Sequence, residues 1–272
     1  MKKIAALVLL GVFSQQVFSF SEVQEKGFLR VAVYKNYAPF SYREKGKLKG
    51  VEVELGKLLA AKLGVDPLIW AIGADENMED DLRNTVWKGH YLGGGTADVM
   101  LHVPVNKEFA EENDRVIIDN AYFKEEIVAV RHNTLASTPI IKLFGDYKIG
   151  VELDTLPDFF LVGAQSGRFR ENVIHYMAVE LAIKALIAGE VRSVVAPRSQ
   201  IESALSGARD EYLFSDVTMP RGYQSTWVVG MAVKQGRNEL MKKLSTALQE
   251  IKESGELSAL FKKHSTSYIK PN

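Results

Sequence analysis

Two stretches decide the fold of this chain: FLRVAV at residues 28–33 and GVEVELGKLLAAKLG at residues 50–64. The first is a short apolar run of the kind that forms a strand. In the second, apolar residues recur at helical spacing, at Val51, Leu55, Leu58, Leu59 and Leu63. Gly64 follows directly, where a glycine ends a helix. Together the two stretches predict a βα unit, the building block of an α/β fold with largely parallel strands.

The same alternation continues to the C-terminus. Strands are predicted at 67–72, 98–103, 126–131, 148–152, 172–176, 191–196 and 228–233. Helical stripes are predicted at 80–89, 178–186, 240–251 and 257–263. We find no internal repeat and no low-complexity linker. The length of 272 residues suits two lobes of ordinary size, so we expect lobes that are joined by strands and not by a flexible tether.

The composition narrows the class of protein. With 46% hydrophobic and 25% charged residues, the chain is neither disordered nor fibrous. The 34 basic and 34 acidic side chains cancel, so nucleic acid and anionic membranes are not favoured partners. The absence of cysteine excludes disulfides, thiolate metal sites and a cysteine nucleophile.

The N-terminus predicts export. A Lys-Lys pair precedes an apolar run at residues 4–13, which is shorter than the about 20 residues that a membrane span requires. Small and polar residues follow, with one cleavage site before Phe20 and an alternative site after Ser21. We therefore predict a signal peptide at residues 1–21 and a periplasmic mature protein, with no membrane span after cleavage.

The sequence lacks the common catalytic motifs. It has no Gly-x-Ser-x-Gly elbow, no His-Glu-x-x-His, no Walker A motif and no dinucleotide-binding glycine pattern. The 5 histidines are scattered, and none of them forms a pair at metal-ligand spacing. These features predict a protein that is not an enzyme and that has no cofactor and no metal.

A family resemblance extends over the mature chain. The motifs that carry it include Leu29-Arg-Val-Ala-Val33, Tyr37-Ala-Pro-Phe40, residues 48–64, residues 144–151, residues 185–191 and residues 229–234. In order and spacing they resemble the periplasmic solute-binding proteins of family 3, the polar amino-acid receptors of ABC transporters.

The resemblance implies a two-lobed periplasmic binding protein fold of type II, with the lobes joined by two hinge strands. Lobe 1 would be residues 22–130 plus 228–272, and lobe 2 would be residues 131–227. The hinge crossings would lie near 128–132 and 225–229. A small polar solute would bind in the cleft, and the lobes would close over it.

The resemblance also implies ligand-binding residues. Tyr37 and Phe40 match the aromatic platform of the first loop. Thr155 matches a helix start whose backbone N–H groups hold a carboxylate. His102 lies where the amino-acid receptors have a Ser/Thr-rich stretch, and Arg115 takes the place of a displaced arginine.

Two departures from the family pattern change the expected ligand. Pro197 lies where an ammonium-pairing aspartate is expected, while Arg192 and Arg198 add positive charge near the inferred cleft. Because arginine suits bidentate recognition of carboxylates, we expect weak binding of ordinary amino acids. A carboxylate-bearing or neutral polar ligand, or a protein partner, is expected to be preferred.

Three functions remain open. The first is a monomeric receptor that delivers a solute to an ABC permease or to a periplasmic sensor domain. The second is an accessory protein of a quinoprotein (PQQ-dependent) alcohol dehydrogenase, because residues 82–85, the Val103-Pro104 step and Tyr122-Phe123 are similar to the MxaJ/XoxJ proteins. The third is an enzyme on the same scaffold, of the cyclohexadienyl dehydratase type.

Overall fold

The structure is a computed structural model that describes residues 20–219 and 223–271. The predicted signal peptide lies outside these residues except for its last two positions. The strands are β1 (Phe28–Tyr34), β2 (Tyr42–Glu44), β3 (Lys47–Lys49), β4 (Asp66–Ile72), β5 (Val99–Pro104), β6 (Val116–His132), β7 (Ile149–Glu152), β8 (Val173–Tyr176), β9 (Ser193–Pro197), β10 (Tyr212–Asp216) and β11 (Thr226–Lys234).

The helices follow the strands in βα order. They are α1 (Ser21–Lys26), α2 (Val51–Lys62), α3 (Met78–Leu82), α4 (Lys107–Glu112), α5 (Ile140–Asp146), α6 (Leu156–Gly167), α7 (Val179–Ile187), α8 (Arg198–Leu205), α9 (Asn238–Glu253) and α10 (Glu256–Lys263). Within the described ranges, none of these helices is long and apolar enough to cross a membrane.

The strands form one hydrogen-bonded order, β4–β1–β5–β11–β6–β9–β7–β8, and β10 pairs with the other edge of β6. Strand β1 is parallel to β4 and β5, whereas β11 runs antiparallel to β5 and β6. Strand β7 is parallel to β8 and β9. Two βα groups are thus connected through β6, and the predicted α/β fold is confirmed. The strands are not largely parallel as expected, because β6 and β11 run antiparallel to all their neighbours, so that four of the eight strand pairs in this sheet are antiparallel.

Strand β6 serves both lobes. Its residues 116–126 pair with β11 in the first lobe, and its residues 127–132 pair with β9 and β10 in the second. The sequence predicted only the stretch 126–131. The earlier part was missed because its pattern is broken by Asp119, Asn120 and Lys124, although the sheet continues through them.

Each lobe buries its own apolar core. In the first lobe, the predicted stripe of α2 is buried against β1 and α9, with Val51, Leu55 and Leu59 fully inaccessible. In the second, α7 and α8 cover one face of the sheet, and α5 and α6 cover the other. Such burial contributes about 1.5–3 kcal/mol for each fully buried large side chain.

Some predicted elements differ in the structure. The helix expected at 80–89 is α3 followed by a π-helical turn at Arg83–Trp87. The charged segment at 43–47 is the tip of the β2–β3 hairpin. Helices α5 and α8 and strand β10 were not predicted, because they are short and their polar residues hide the pattern.

Candidate functional site

The loop after β1 presents an aromatic pair to the second lobe. It is seated on the start of α2, where Glu52 N donates to Phe40 O at 2.9 Å. Gly50 is required there, because it has φ +133° and a Cβ would lie 2.1 Å from Phe40 O. Phe40 is fully buried, and Tyr37 stacks on it with ring centroids 5.4 Å apart. Tyr37 is the outer member of the pair.

Behind this pair lies a buried polar network. Glu52 Oε1 is 2.6 Å from His102 Nδ1 and accepts a hydrogen bond from the Tyr122 hydroxyl at 2.6 Å. The same hydroxyl accepts from His102 N at 2.9 Å. The His102 ring meets Tyr37 edge-on, with centroids 4.8 Å apart. The network therefore fixes the His102 ring. Together, the rings of Phe40 and His102 form the surface against which Tyr37 packs, which we call the floor of the cleft.

The backbone at His102 is bent to make this network. His102 has φ +63° within β5, opposite the register shift at Gly230 and Met231 in β11. A left-handed conformation is costly for a residue other than glycine, and it is retained where neighbouring contacts fix it. Sequence reasoning selected His102 but missed Glu52, because a glutamate in the first turn of a helix usually faces solvent.

Where β6 passes from one lobe to the other, two consecutive glutamates contact the start of α8. Glu125 is fully buried and accepts hydrogen bonds from the Ser199 hydroxyl and from Ser199 N, the latter at 3.3 Å. Burial raises the pKa of Glu125 to about 7. Glu126 pairs with the Arg198 guanidinium, which also stacks over Phe214 at 5.0 Å.

The other two predicted residues lie apart from this floor. Thr155 occupies the N-cap position of α6. Its hydroxyl makes no hydrogen bond to the helix and donates instead to Glu152 O at 2.6 Å. The side chain of Arg115 is 71% exposed and lies 3.5 Å from Asp114, just before β6 begins. Along β6, Glu125 lies ten residue steps beyond Arg115, up to about 33 Å at the rise of an extended strand. The structure therefore places Arg115, like Thr155, apart from the residues of the floor.

A cavity of about 520 Å³ separates the two lobes beside Tyr37. The first lobe lines it with Tyr37, Tyr42 and Lys263, and the second lobe lines it with Glu152, Gln200 and Ser203. Tyr37 of one wall and Gln200 of the other are close enough that Gln200 lowers the pKa of the Tyr37 phenol, although burial raises that pKa overall. Of the six predicted ligand-binding residues, Tyr37 lines this cavity, and Phe40 and His102 lie behind it.

Glu152 is the lining residue that sequence reasoning missed. It ends β7, it is half-buried, and its carboxylate accepts no hydrogen bond from the described part of the chain. Burial raises its pKa. A glutamate at a strand end gives no sequence signal, because only the packing of the lobes shows what it faces. Among the described residues, no group of three or more His, Asp or Glu side chains is arranged to hold a metal ion.

Comparison with known proteins agrees with this architecture. Residues 29–87 match the family described as bacterial extracellular solute-binding proteins, family 3. A probable histidine-binding protein of Neisseria gonorrhoeae is 25% identical over 86% of this chain and 82% of its own length. The L-cystine-binding protein TcyJ of Escherichia coli K12 is 26% identical over 96% of this chain and 92% of its own.

A solved structure shares the fold. An ancestral cationic amino acid solute-binding protein superposes with a TM-score of 0.69 at 19% identity, over 90% of this chain and 99% of that one. The two-lobed fold and the resemblance to family 3 that the sequence predicted are therefore confirmed.

Proposed function

We propose that this chain is a periplasmic solute-binding protein that captures a small polar solute between its lobes for an ABC permease. The observation that carries the proposal is the cavity whose walls come from both lobes, with Tyr37 on one side and Gln200 on the other. A site shared by two lobes is one that a hinge motion opens and closes. Small-molecule sites commonly have volumes of about 300–1,000 Å³.

We infer that the hinge consists of β6 and of the segment leading into β11. Strand β6 changes partners between residues 126 and 127, which supports a pivot slightly before the predicted crossing at 128–132. The predicted division into lobe 1 (22–130 plus 228–272) and lobe 2 (131–227) is proposed with one change, that lobe 2 begins at residue 127, where β6 changes partners. Closure would bring the Tyr37 and Glu152 walls together around a solute and remove it from water.

Binding is favoured over the two alternatives. Both curated relatives are named as binding proteins, which supports capture of a solute and not catalysis. Tyr122 and Phe123, which are among the residues that resemble the MxaJ/XoxJ proteins, are buried in the core and do not themselves offer a surface to a dehydrogenase. We therefore propose solute binding in preference to an enzymatic role or a quinoprotein partner.

The test is a ligand screen on the mature protein. We expect at least one solute from a panel of the twenty amino acids, cystine and aliphatic amines to raise the melting temperature, because a ligand that binds only the folded state stabilises it. Small-angle scattering should then show a more compact molecule. A Tyr37→Ala variant should lose the effect, whereas Tyr91→Ala, at a site 88% exposed, should keep it. No stabilisation by any member of the panel would refute the proposal.

A further inference from the structure

Building on the proposed function, we propose that the cavity takes an organic cation with a primary ammonium group, which Glu152 binds, and that the ligand needs no carboxylate. Glu152 would be the principal charge contact, and the rings of Tyr37 and Tyr42 would flank the ammonium group. This specificity differs from the anionic or neutral ligand expected from the sequence.

The cavity wall carries a net negative charge. Three other charged side chains line the cavity, and each has a partner of its own. Glu44 pairs with Lys49, Glu180 lies 2.6 Å from Lys184, and Lys263 lies 2.6 Å from Glu54. Glu152 has no such partner among the described residues. The cavity therefore carries one uncompensated negative charge.

Glu152 is held at the cavity wall, where a ligand can reach it. Its main-chain oxygen accepts the Thr155 hydroxyl, which fixes the end of β7. Its carboxylate is close enough to Tyr37 to raise the pKa of that phenol further. A carboxylate that is partly removed from water without a donor is unfavourable, and a ligand cation relieves this cost.

Three groups of the second lobe that could hold a carboxylate already have partners within the protein. At the start of α6, Asp154 N donates to Asp158 Oδ2 at 3.0 Å, and His175 Nε2 lies 2.9 Å from Asp158 Oδ1. Asp154 N and the His175 ring are thus bonded to the protein's own Asp158 carboxylate, and Arg198 is paired with Glu126. None of these three groups is left to bind a carboxylate of the ligand.

Two tyrosine rings in the cavity lining favour a cation. Tyr37 and Tyr42 lie on the wall opposite Glu152. An ammonium group over a tyrosine ring gains about 0.5–2 kcal/mol, most when water is excluded. A carboxylate between two tyrosine rings and a glutamate would gain nothing comparable. The lining therefore selects the sign of the ligand's charge.

The experiment is titration calorimetry at pH 7.5 with three probes: 1,5-diaminopentane, L-lysine and glutarate. We expect diaminopentane and L-lysine to bind with affinities within tenfold of each other, and glutarate not to bind. Glu152→Gln should weaken diaminopentane binding about ten- to a hundredfold, because a charge-assisted hydrogen bond is lost. Glu171→Gln, which removes the same charge from an exposed site of the second lobe, should leave the affinity unchanged.

Several results would overturn the inference. Glutarate binding, L-lysine binding more than tenfold tighter than diaminopentane, or full affinity in Glu152→Gln would each contradict it. If a neutral amino acid stabilised the protein and neither amine bound, this inference would be wrong and the proposed function would stand. If no solute of the wider panel bound, the proposed function itself would fail.

Discussion

Glu52 and Glu125 are both fully buried carboxylates near the cleft, but their donors differ in kind. Glu52 accepts from the Tyr122 hydroxyl and lies 2.6 Å from His102 Nδ1. Glu125 receives only the neutral hydroxyl and backbone N–H of Ser199 and the backbone N–H of Glu126. Neutral donors offset the loss of hydration less than a cation does, and burial raises the pKa of Glu125 to about 7.

Replacing Glu125 by glutamine should change how stability depends on pH. The folded-state pKa of about 7 exceeds the usual 4.5, so the folded chain binds more protons between these values. The stability that Glu125 contributes is complete below pH 4.5 and is lost as pH rises through 7. Relative to the wild type, Glu125→Gln should therefore gain roughly 3 kcal/mol between pH 4.5 and pH 8.5.

Urea unfolding at half-unit pH intervals measures this difference. The exposed Glu171→Gln variant is the matched control and should parallel the wild type. A difference between Glu125→Gln and the wild type that stayed constant with pH would show that Glu125 is ionised throughout the folded state.

Tyr122→Phe should destabilise the floor of the cleft. The substitution removes one donor to Glu52 and the acceptor of His102 N while keeping the ring. Loss of a buried hydrogen bond to a charged group costs about 1.5–3 kcal/mol. Urea unfolding should show this loss, while Tyr91→Phe on the surface should change stability by less than about 0.5 kcal/mol.

A double-mutant cycle with Glu52→Gln would identify the cause. The two changes should be less than additive, because each breaks the same bond. Strict additivity would mean that Tyr122 stabilises the protein through its packing alone.

The C-terminal segment after α10 links the two lobes non-covalently, in addition to the two strands that cross between them. Ser267 N donates to Glu202 Oε2 in α8 at 2.6 Å, and Thr266 Oγ1 reaches the same oxygen at 3.3 Å. Further along, Ile269 O accepts from Lys124 N in β6 at 3.0 Å. The segment therefore runs beside β6 and contacts both lobes near the hinge.

Deleting residues 267–272 should loosen this connection. The deletion removes the contact of Ser267 N to Glu202, the contact of Ile269 O to Lys124 N, and the Tyr268 ring, whose centroid lies 5.2 Å from that of Phe261. We expect a loss of about 2–4 kcal/mol in the free energy of unfolding. Small-angle scattering of the ligand-free protein should show a larger radius of gyration. Deletion of residues 271–272 alone is the control, and equal radii for the two truncations would contradict the role of the segment.

Elements with long apolar periods were predictable, whereas the site was only partly so. Helices α2, α9 and α10 follow from the spacing of their buried residues. Helix α8 escaped prediction because its buried face includes Ser199 and Glu202, which usually face solvent. Tyr37, selected from a loop motif, lines the cavity, but Glu152 was missed because it comes to line the cavity only when the lobes pack. The position of Arg115 relative to the cavity could not be predicted, because order along the chain does not reveal that a long strand begins just after it.

The predicted signal-peptide cleavage site lies beside the apolar core of the first lobe. Phe20 is 7% exposed and packs in that core, and its backbone nitrogen is 3.3 Å from Glu239 Oε2. Cleavage before Phe20 would turn this nitrogen into an ammonium group within reach of a carboxylate. Cleavage after Ser21 would instead remove a buried aromatic ring, which costs about 3–5 kcal/mol when such a ring is truncated to alanine.

We therefore expect the mature protein to begin at Phe20. The intact mass of protein purified from periplasmic extract tests this directly, and the whole-cell precursor provides the reference mass. A mass that corresponds to a chain starting at Glu22 would contradict the expectation. A Phe20→Ala variant should be exported normally but melt at a lower temperature.

The pairing of β6 with β11 also governs the order of assembly. Glu126 is bonded in register with Thr226, so the central ladder of the first lobe joins segments that are far apart along the chain. Contacts of such high contact order form slowly, because a long loop must close before they stabilise anything. A chain that emerges from a translocation channel with its N-terminus first would complete its first lobe last, after the second lobe has already emerged and has had time to fold.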